Sequence, residues 1–130
     1  MIYLTIKQSS LLNKIIRFDA VISAIQYFSW AKIGKPYMGI GRNFAYKKSE
    51  FFNVNGFINH IRVRSGEDDL FINEAANASN TTICYSPESF TYSEPKTTFK
   101  EWLNQKRKET STKKHYKSFD KLQLGLYFIS

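Results

Sequence analysis

Cysteine, proline and acidic side chains are all scarce in this chain of 130 residues. One cysteine, Cys84, excludes an internal disulfide and suits a reducing compartment. Its simplest role is that of a small buried apolar residue. Three prolines and six glycines exclude a collagenous or low-complexity chain. No internal repeat is visible, which argues against a solenoid. The first residues do not follow the pattern of a signal peptide, so the sequons at Asn77 and Asn80 matter only in a secretory setting. Long apolar runs are missing too. The longest apolar-rich stretch, Leu11 to Trp30, is broken by Lys14, Arg17 and Asp19 and makes a poor transmembrane span.

What is present is a core-forming composition and a strong positive charge. Hydrophobic residues make up 42% and aromatics 16%, enough for one ordinary domain or part of a larger one. Nineteen basic residues stand against 11 acidic ones, a formal net charge of +8. Eight of the cations fall between Lys96 and Lys117, opposed only by Glu101 and Glu109. Such a stretch attracts nucleic acid, anionic headgroups or a diphosphate, or is a solvated helix face.

Along the chain, Met1 to Lys7 reads as a strand or an unpaired end. Leu11 to Trp30 reads as a helix apolar nearly all round, which wants cover from protein or from a membrane surface. Gly34 and Pro36 end it. Gly39 and Gly41 lead through Asn43, Ala45 and Tyr46 into a short strand. Ser49 caps a helical turn to Phe52, and "NVNGF" turns on Gly56. A polar loop from His60 to Arg64 precedes a helix from Ser65 or Gly66 to about Asn77. Residues 81–85, "TTICY", and 89–93 read as strands, and Thr97 to His115 as a basic helix. The fold class expected is α/β, with few strands, a long N-terminal helix and a basic C-terminal helix. That ordering suggests half of an α/β layer more than a closed fold.

The stretch "RSGEDDLFINEA" places Glu67, Asp68 and Asp69 side by side in a basic chain. One reading is a capping box with acids favouring the helix N-terminus. A second is a general base, since a helix start beside a loop holds a carboxylate rigid yet reachable. The two are compatible. Metal binding is the least favoured, because adjacent carboxylates diverge around a helix and no histidine sits at ligand spacing. His60 is either near a bound molecule or a loop residue without a role, and His115 faces solvent. Tyr37 and Tyr46 line a cleft or fill the core.

The ordered set "GIGRNFAYKKSEFFNVNGF", "SGEDDLFINEA" and "TTFKEWLNQKRKE" resembles the C-terminal half of a family 2 glycosyltransferase of GT-A type. The likeness is to the bacterial membrane-associated branch related to cellulose and poly-N-acetylglucosamine synthases, over about residues 10–128. The resemblance implies an incomplete GT-A-like half-domain: residues 1–130 as one partial, acceptor-side domain, with 119–130 as the start of a membrane segment. It implies Asp68 as general base, Asp69 as the alternative, with Glu67 beside it. Gly39, Gly41, Arg42, Asn43 and Ala45 form the floor of a sugar site. The family's Q-x-x-R-W motif falls on Gln105 to Glu109, with Lys108 in place of the arginine and Glu109 in place of the tryptophan. Gln105 matches the motif and binds substrate, Arg107 and Lys108 then face a pyrophosphate, and Trp102 stacks on a sugar or packs an amphipathic helix.

The activity implied is inverting transfer of a sugar from a nucleotide-sugar to a glycan acceptor, at the cytoplasmic face of the inner membrane. No D-x-D occurs in the 130 residues. The expectation is therefore a fragment, inactive alone, with no metal ligands or cofactor of its own. A divalent ion, magnesium or manganese, is expected only with a donor half. The expected partners are the nucleotide-sugar, the glycan acceptor and a membrane surface. The alternative is a small basic module for nucleic acid or for a membrane surface, its lysine-rich helix interleaved with Trp102, Tyr116 and Phe119.

Overall fold

A computed structural model describes residues 3–62 and 67–113. Among these the protein is mixed α/β and mostly helical. Strand β1 is Tyr3–Thr5, followed by helices α1 (Leu11–Lys32), α2 (Lys48–Asn53) and α3 (Glu67–Ala75). Strand β2 (Thr91–Ser93) and helix α4 (Phe99–Lys113) complete the order. The expectations for Ser65, Gly66, His115 and the 119–130 tail lie outside the described residues.

Helix α1 starts at Leu11, as the apolar pattern predicts, and Ser10 caps it. Ser10 is extended, and its hydroxyl accepts from the Asn13 N–H at 3.1 Å. Asn13 is buried, and its amide works in both directions. Its oxygen accepts from Gln8 N–H at 2.8 Å and its Nδ2 donates to the Ile6 carbonyl at 2.9 Å. Two hydrogen bonds, each contributing about 1 kcal/mol, thus fasten the segment just after β1 to the first turn of α1. At the other end Gly34 takes φ 80°, Lys35 N–H reaches Trp30 O at 2.9 Å and Gly34 N–H reaches Ala31 O at 3.0 Å. This is a Schellman ending, which favours glycine at that position because a side chain there would be strained.

β1 and β2 pair in parallel, Tyr3 opposite Thr91 and Thr5 opposite Ser93. A parallel pair needs a long crossover, and here it contains α1, α2 and α3. The strand expected at residues 43–46 does not form. Residues 41–43 make a 3₁₀ turn instead, with Asn43 N–H on Ile40 O. Phe44 and Tyr46 then turn into an aromatic cluster with Phe51, Phe57 and Phe71, whose ring centroids lie 4.5–6.2 Å apart. Ring packing of this kind, about 0.5–1.5 kcal/mol per pair beyond area burial, outweighs the local β preference. "TTICY" also forms no strand, since β-branched composition without a ladder partner gives only extended chain.

The buried apolar core is small: Ile16, Ala24 and Tyr27 from α1, Tyr37 after it, and Leu70 and Phe71 from α3. Buried asparagine amides reinforce it. Asn73 of α3 donates to the Tyr37 carbonyl at 3.0 Å, and Asn43 donates to the Ser89 carbonyl at 2.9 Å. Cys84 differs from its expected buried role: it is half-exposed, with Ser86 Oγ 4.0 Å from its sulfur. Hydrogen bonds from Ser89 and Ser86 hold its thiol below the ordinary value. No helix among the described residues is long and apolar enough to cross a membrane.

Candidate functional site: a cleft at the strand ends

A cleft of about 620 Å³ opens where both strands end, against Thr5 of β1 and Ser93, Glu94 and Pro95 after β2. Ligand sites in parallel α/β sheets lie at the carboxyl ends of the strands for the same reason: the connections diverge there and leave a crevice. One wall is α1, through Ile16, Asp19 and Ser23, and a second is the segment Met38 to Arg42. Asp68 and Asp69 come in from the start of α3, and α4 closes the far side with Trp102, Gln105, Lys106 and Glu109.

Gly41 and Asp68 are in intimate contact. A β-carbon built on Gly41 falls onto the Asp68 carboxylate, so any larger residue displaces that group. Gly39 is also tight, but against a hydrocarbon: its added β-carbon stands 3.1 Å from Ile72 Cγ1. The α3 helix is fixed by Leu70 and Phe71 in the core and by the Asn73 bond to Tyr37. Asp68 and Asp69 are thereby carried to the cleft, half-buried. Arg42 lies across the mouth, with Nη1 3.4 Å from Ser93 Oγ.

On the opposite wall four polar side chains form a chain. Lys106 Nζ stands 2.5 Å from Asp19 Oδ2 and 3.1 Å from Glu109 Oε2, and Gln105 Nε2 donates to Glu109 Oε1 at 2.9 Å. Burial pulls the Lys106 ammonium down, but the hydrogen bond it donates to Asp19 and the charges of Glu109 and Asp19 outweigh it. The net shift is upward from the ordinary lysine value. Two further groups in the wall are buried polar atoms without a partner among the described residues: Thr5 Oγ1, on a residue 5% exposed, and Trp102 Nε1. Buried donors are normally satisfied, so unpaired ones in a cleft wall suit a ligand or water.

Of the residues singled out in the sequence, Gly39, Gly41, Arg42, Asp68, Asp69 and Gln105 meet at this cleft, with Trp102 beside them. Asn43 does not: it is buried, its amide on Ser89. Ala45, Arg107 and Lys108 are exposed and outside the lining. The helical register explains the last two, because α4 turns Trp102, Gln105, Lys106 and Glu109 inward at steps of three and four. Glu67 heads α3. Tyr37 is core and Tyr46 belongs to the aromatic cluster. Sequence reading passed over Asp19, Lys106 and Thr5. Asp19 carried a signal, being the one acid in α1.

Five carboxylates line the cleft (Asp19, Asp68, Asp69, Glu94, Glu109) against three cations (Arg42, Lys96, Lys106). The site is therefore acidic in a chain of net charge +8. It suits a hydroxyl-rich or cationic ligand better than a polyanion. Among the described residues no group of three or more His, Cys, Asp or Glu comes together that could hold a metal ion. No family model, curated protein or solved structure matches the chain.

Proposed function

We propose that the cleft is the acceptor side of an inverting glycosyltransferase site, with Asp68 as the general base. The observation that carries this reading is the Asp68 carboxylate held against the Gly41 backbone at the rim of a sugar-sized cleft, opposite Trp102 and Gln105. The acceptor hydroxyl attacks the anomeric carbon of the donor sugar while its proton passes to Asp68. The bond from that carbon to the departing diphosphate oxygen breaks on the opposite face, which inverts the centre. The chain's part is to bind the acceptor, orient its hydroxyl and receive the proton. The five cleft carboxylates and the absence of a D-x-D in the sequence restrict the reading to the acceptor side. Arg107 and Lys108, exposed on α4, are not assigned to the leaving group.

Saturation-transfer NMR with cellotetraose and chitotetraose tests the binding half of this reading. One of them should bind the wild-type chain and the Asp68→Asn variant alike, and should lose binding on Trp102→Ala. Silence from both oligosaccharides ends the acceptor assignment. In an enzyme assembled with a nucleotide-sugar site, Asp68→Asn should lower turnover at least about 10²-fold with acceptor binding unchanged. Full turnover by that variant ends the assignment of the base. The nucleic-acid alternative draws less support, because Lys106 is held between two carboxylates and Trp102 faces the cleft.

A further inference from the structure

Helix α1 has two unlike long faces. One carries Ile16, Asp19 and Ser23 to the cleft. On the other, stepping about 100° per residue, stand Leu11, Ile15, Phe18, Val21 and Ile25, all exposed. Leu11 is 73%, Phe18 68% and Ile25 57% accessible. A stripe of this size on one helix is not the scatter of single apolar residues that protein surfaces tolerate. Lys14 and Lys32 stand within the stripe and Arg17 at its edge, all exposed. The one acid of α1, Asp19, is turned away and held by Lys106.

Beside the stripe lies a second hollow of about 210 Å³, lined by Leu4, Ala20, Val21, Ala24, Ile25, Phe28 and Phe90. Every one of these side chains is apolar, and the hollow shares Val21 and Ile25 with the stripe.

From these features we infer that the outer face of α1 docks on an anionic bilayer surface, with the apolar stripe in the acyl boundary and the neighbouring hollow taking part of a lipid chain. Charge complementarity selects this occupant. A face whose only charges are cations repels a second copy of itself about a two-fold axis, whereas anionic headgroups neutralise it. A helix of 22 residues lying flat presents about 33 Å of contact length. Amphipathic helices bind in that orientation, apolar side down with lysine and arginine at the headgroups. Docking by this face leaves the cleft, on the other side of α1, open to the aqueous phase. The inference does not depend on the glycosyltransferase reading, since neither the apolar stripe nor its cations line the cleft.

Co-sedimentation with vesicles of phosphatidylcholine alone, or with phosphatidylglycerol added, tests it on the full chain. Binding is expected only with the anionic lipid. The pair Lys14→Gln and Lys32→Gln should weaken it about 25-fold, at roughly fivefold per lysine near the surface. Phe18→Asp with Ile25→Asp should remove it. These positions are exposed, and an unchanged far-UV circular dichroism spectrum verifies the fold. The control, Lys100→Gln with Lys108→Gln on α4, should change binding less than threefold. The inference is overturned if the α1 variants still sediment, if the α4 control loses binding equally, or if the chain forms a dimer that Phe18→Asp dissociates.

Discussion

Replacing Gly41 by alanine separates the role of the Asp68 carboxylate from general packing. The added methyl falls on Asp68 Oδ2 and Cγ, and stands 3.0 Å from Asp68 Cβ. The carboxylate is the far end of a short side chain and can rotate, but only by leaving its place against the Gly41 backbone. Overpacking of this kind costs about 1–3 kcal/mol. In a chain of this size that lowers the melting temperature by roughly 3–5 °C for each kcal/mol. In an Asp68→Ala background the carboxylate atoms are gone and only the Cβ at 3.0 Å remains, so the same Gly41→Ala change should cost under about 1 kcal/mol. The double-mutant cycle should therefore give a coupling of about 1–2 kcal/mol, well above the additivity error of distant sites. Gly39→Ala is the reference, because its methyl meets only Ile72 Cγ1 at 3.1 Å. It should lower stability by about 1 kcal/mol in either background, with no coupling to Asp68. Urea denaturation of the six proteins measures all of these. A Gly41→Ala cost that is the same with and without the Asp68 carboxylate refutes the contact.

Other consequences follow from groups around the cleft and core. Burial raises the Tyr27 phenol to about 12, and its hydroxyl has no partner among the described residues. Its stabilisation is full below the unfolded value of 10.0 and is lost as the pH rises through about 12. Tyr27→Phe should be neutral or slightly stabilising at pH 7 and should recover about 1–2 kcal/mol at pH 12 in urea melts. Lys106→Met leaves Asp19 and Glu109 without their cation and should cost about 1 kcal/mol at neutral pH. Because the Lys106 value is raised, that difference should be present below the ordinary lysine value and fade as the pH passes the raised one, in the same assay. The hydroxyls of Ser89 and Ser86 favour the Cys84 thiolate, so iodoacetamide should label Cys84 at pH 7.5 severalfold faster than a cysteine in an unstructured peptide. Ser89→Ala should slow the labelling. Asn13→Ala removes both ties from the segment after β1 to α1 and should cost about 2 kcal/mol in chemical denaturation.

The helices were legible because their signals are local. The start of α1 at Leu11 and its end at Gly34 are as read, and the Ser10 cap that fixes the start is equally local. The acids opening α3 and the basic periodicity of α4 likewise fix those helices to within a few residues. Both strands fall within stretches read as strands, Met1 to Lys7 and residues 89–93, but their pairing was not legible. Each strand is three residues long, and their pairing joins Tyr3–Thr5 to Thr91–Ser93 across nearly the whole described chain. Nothing local distinguishes those triplets from "TTICY", which has the stronger β composition and forms no strand. At the cleft, the glycine pair and Asp68 came forward through resemblance. Asp19 and Lys106 were missed because their meeting depends on how α1 and α4 lie together. Arg107 and Lys108 look equivalent to Lys106 in sequence, and one step of helical register separates the cleft wall from solvent.

The separation of charge ties these observations together. A chain of net charge +8 has an acidic cleft, so its positive charge must lie elsewhere. Lys14, Arg17 and Lys32 are exposed on α1, and Lys100, Arg107 and Lys108 on α4. Long-range attraction to an anionic surface then acts on the outside of the molecule and leaves the cleft disfavouring the same anions. A cleft for polyanions would pool Arg42, Lys96 and Lys106 without opposing acids. Here Lys106 lies between Asp19 and Glu109, and its positive charge is spent within the wall. The ligand that fits such a wall takes hydrogen bonds from Thr5, Trp102 and Gln105 and brings no negative charge of its own. A neutral glycan meets both requirements, whereas a nucleic-acid strand can accept such bonds but brings the negative charge.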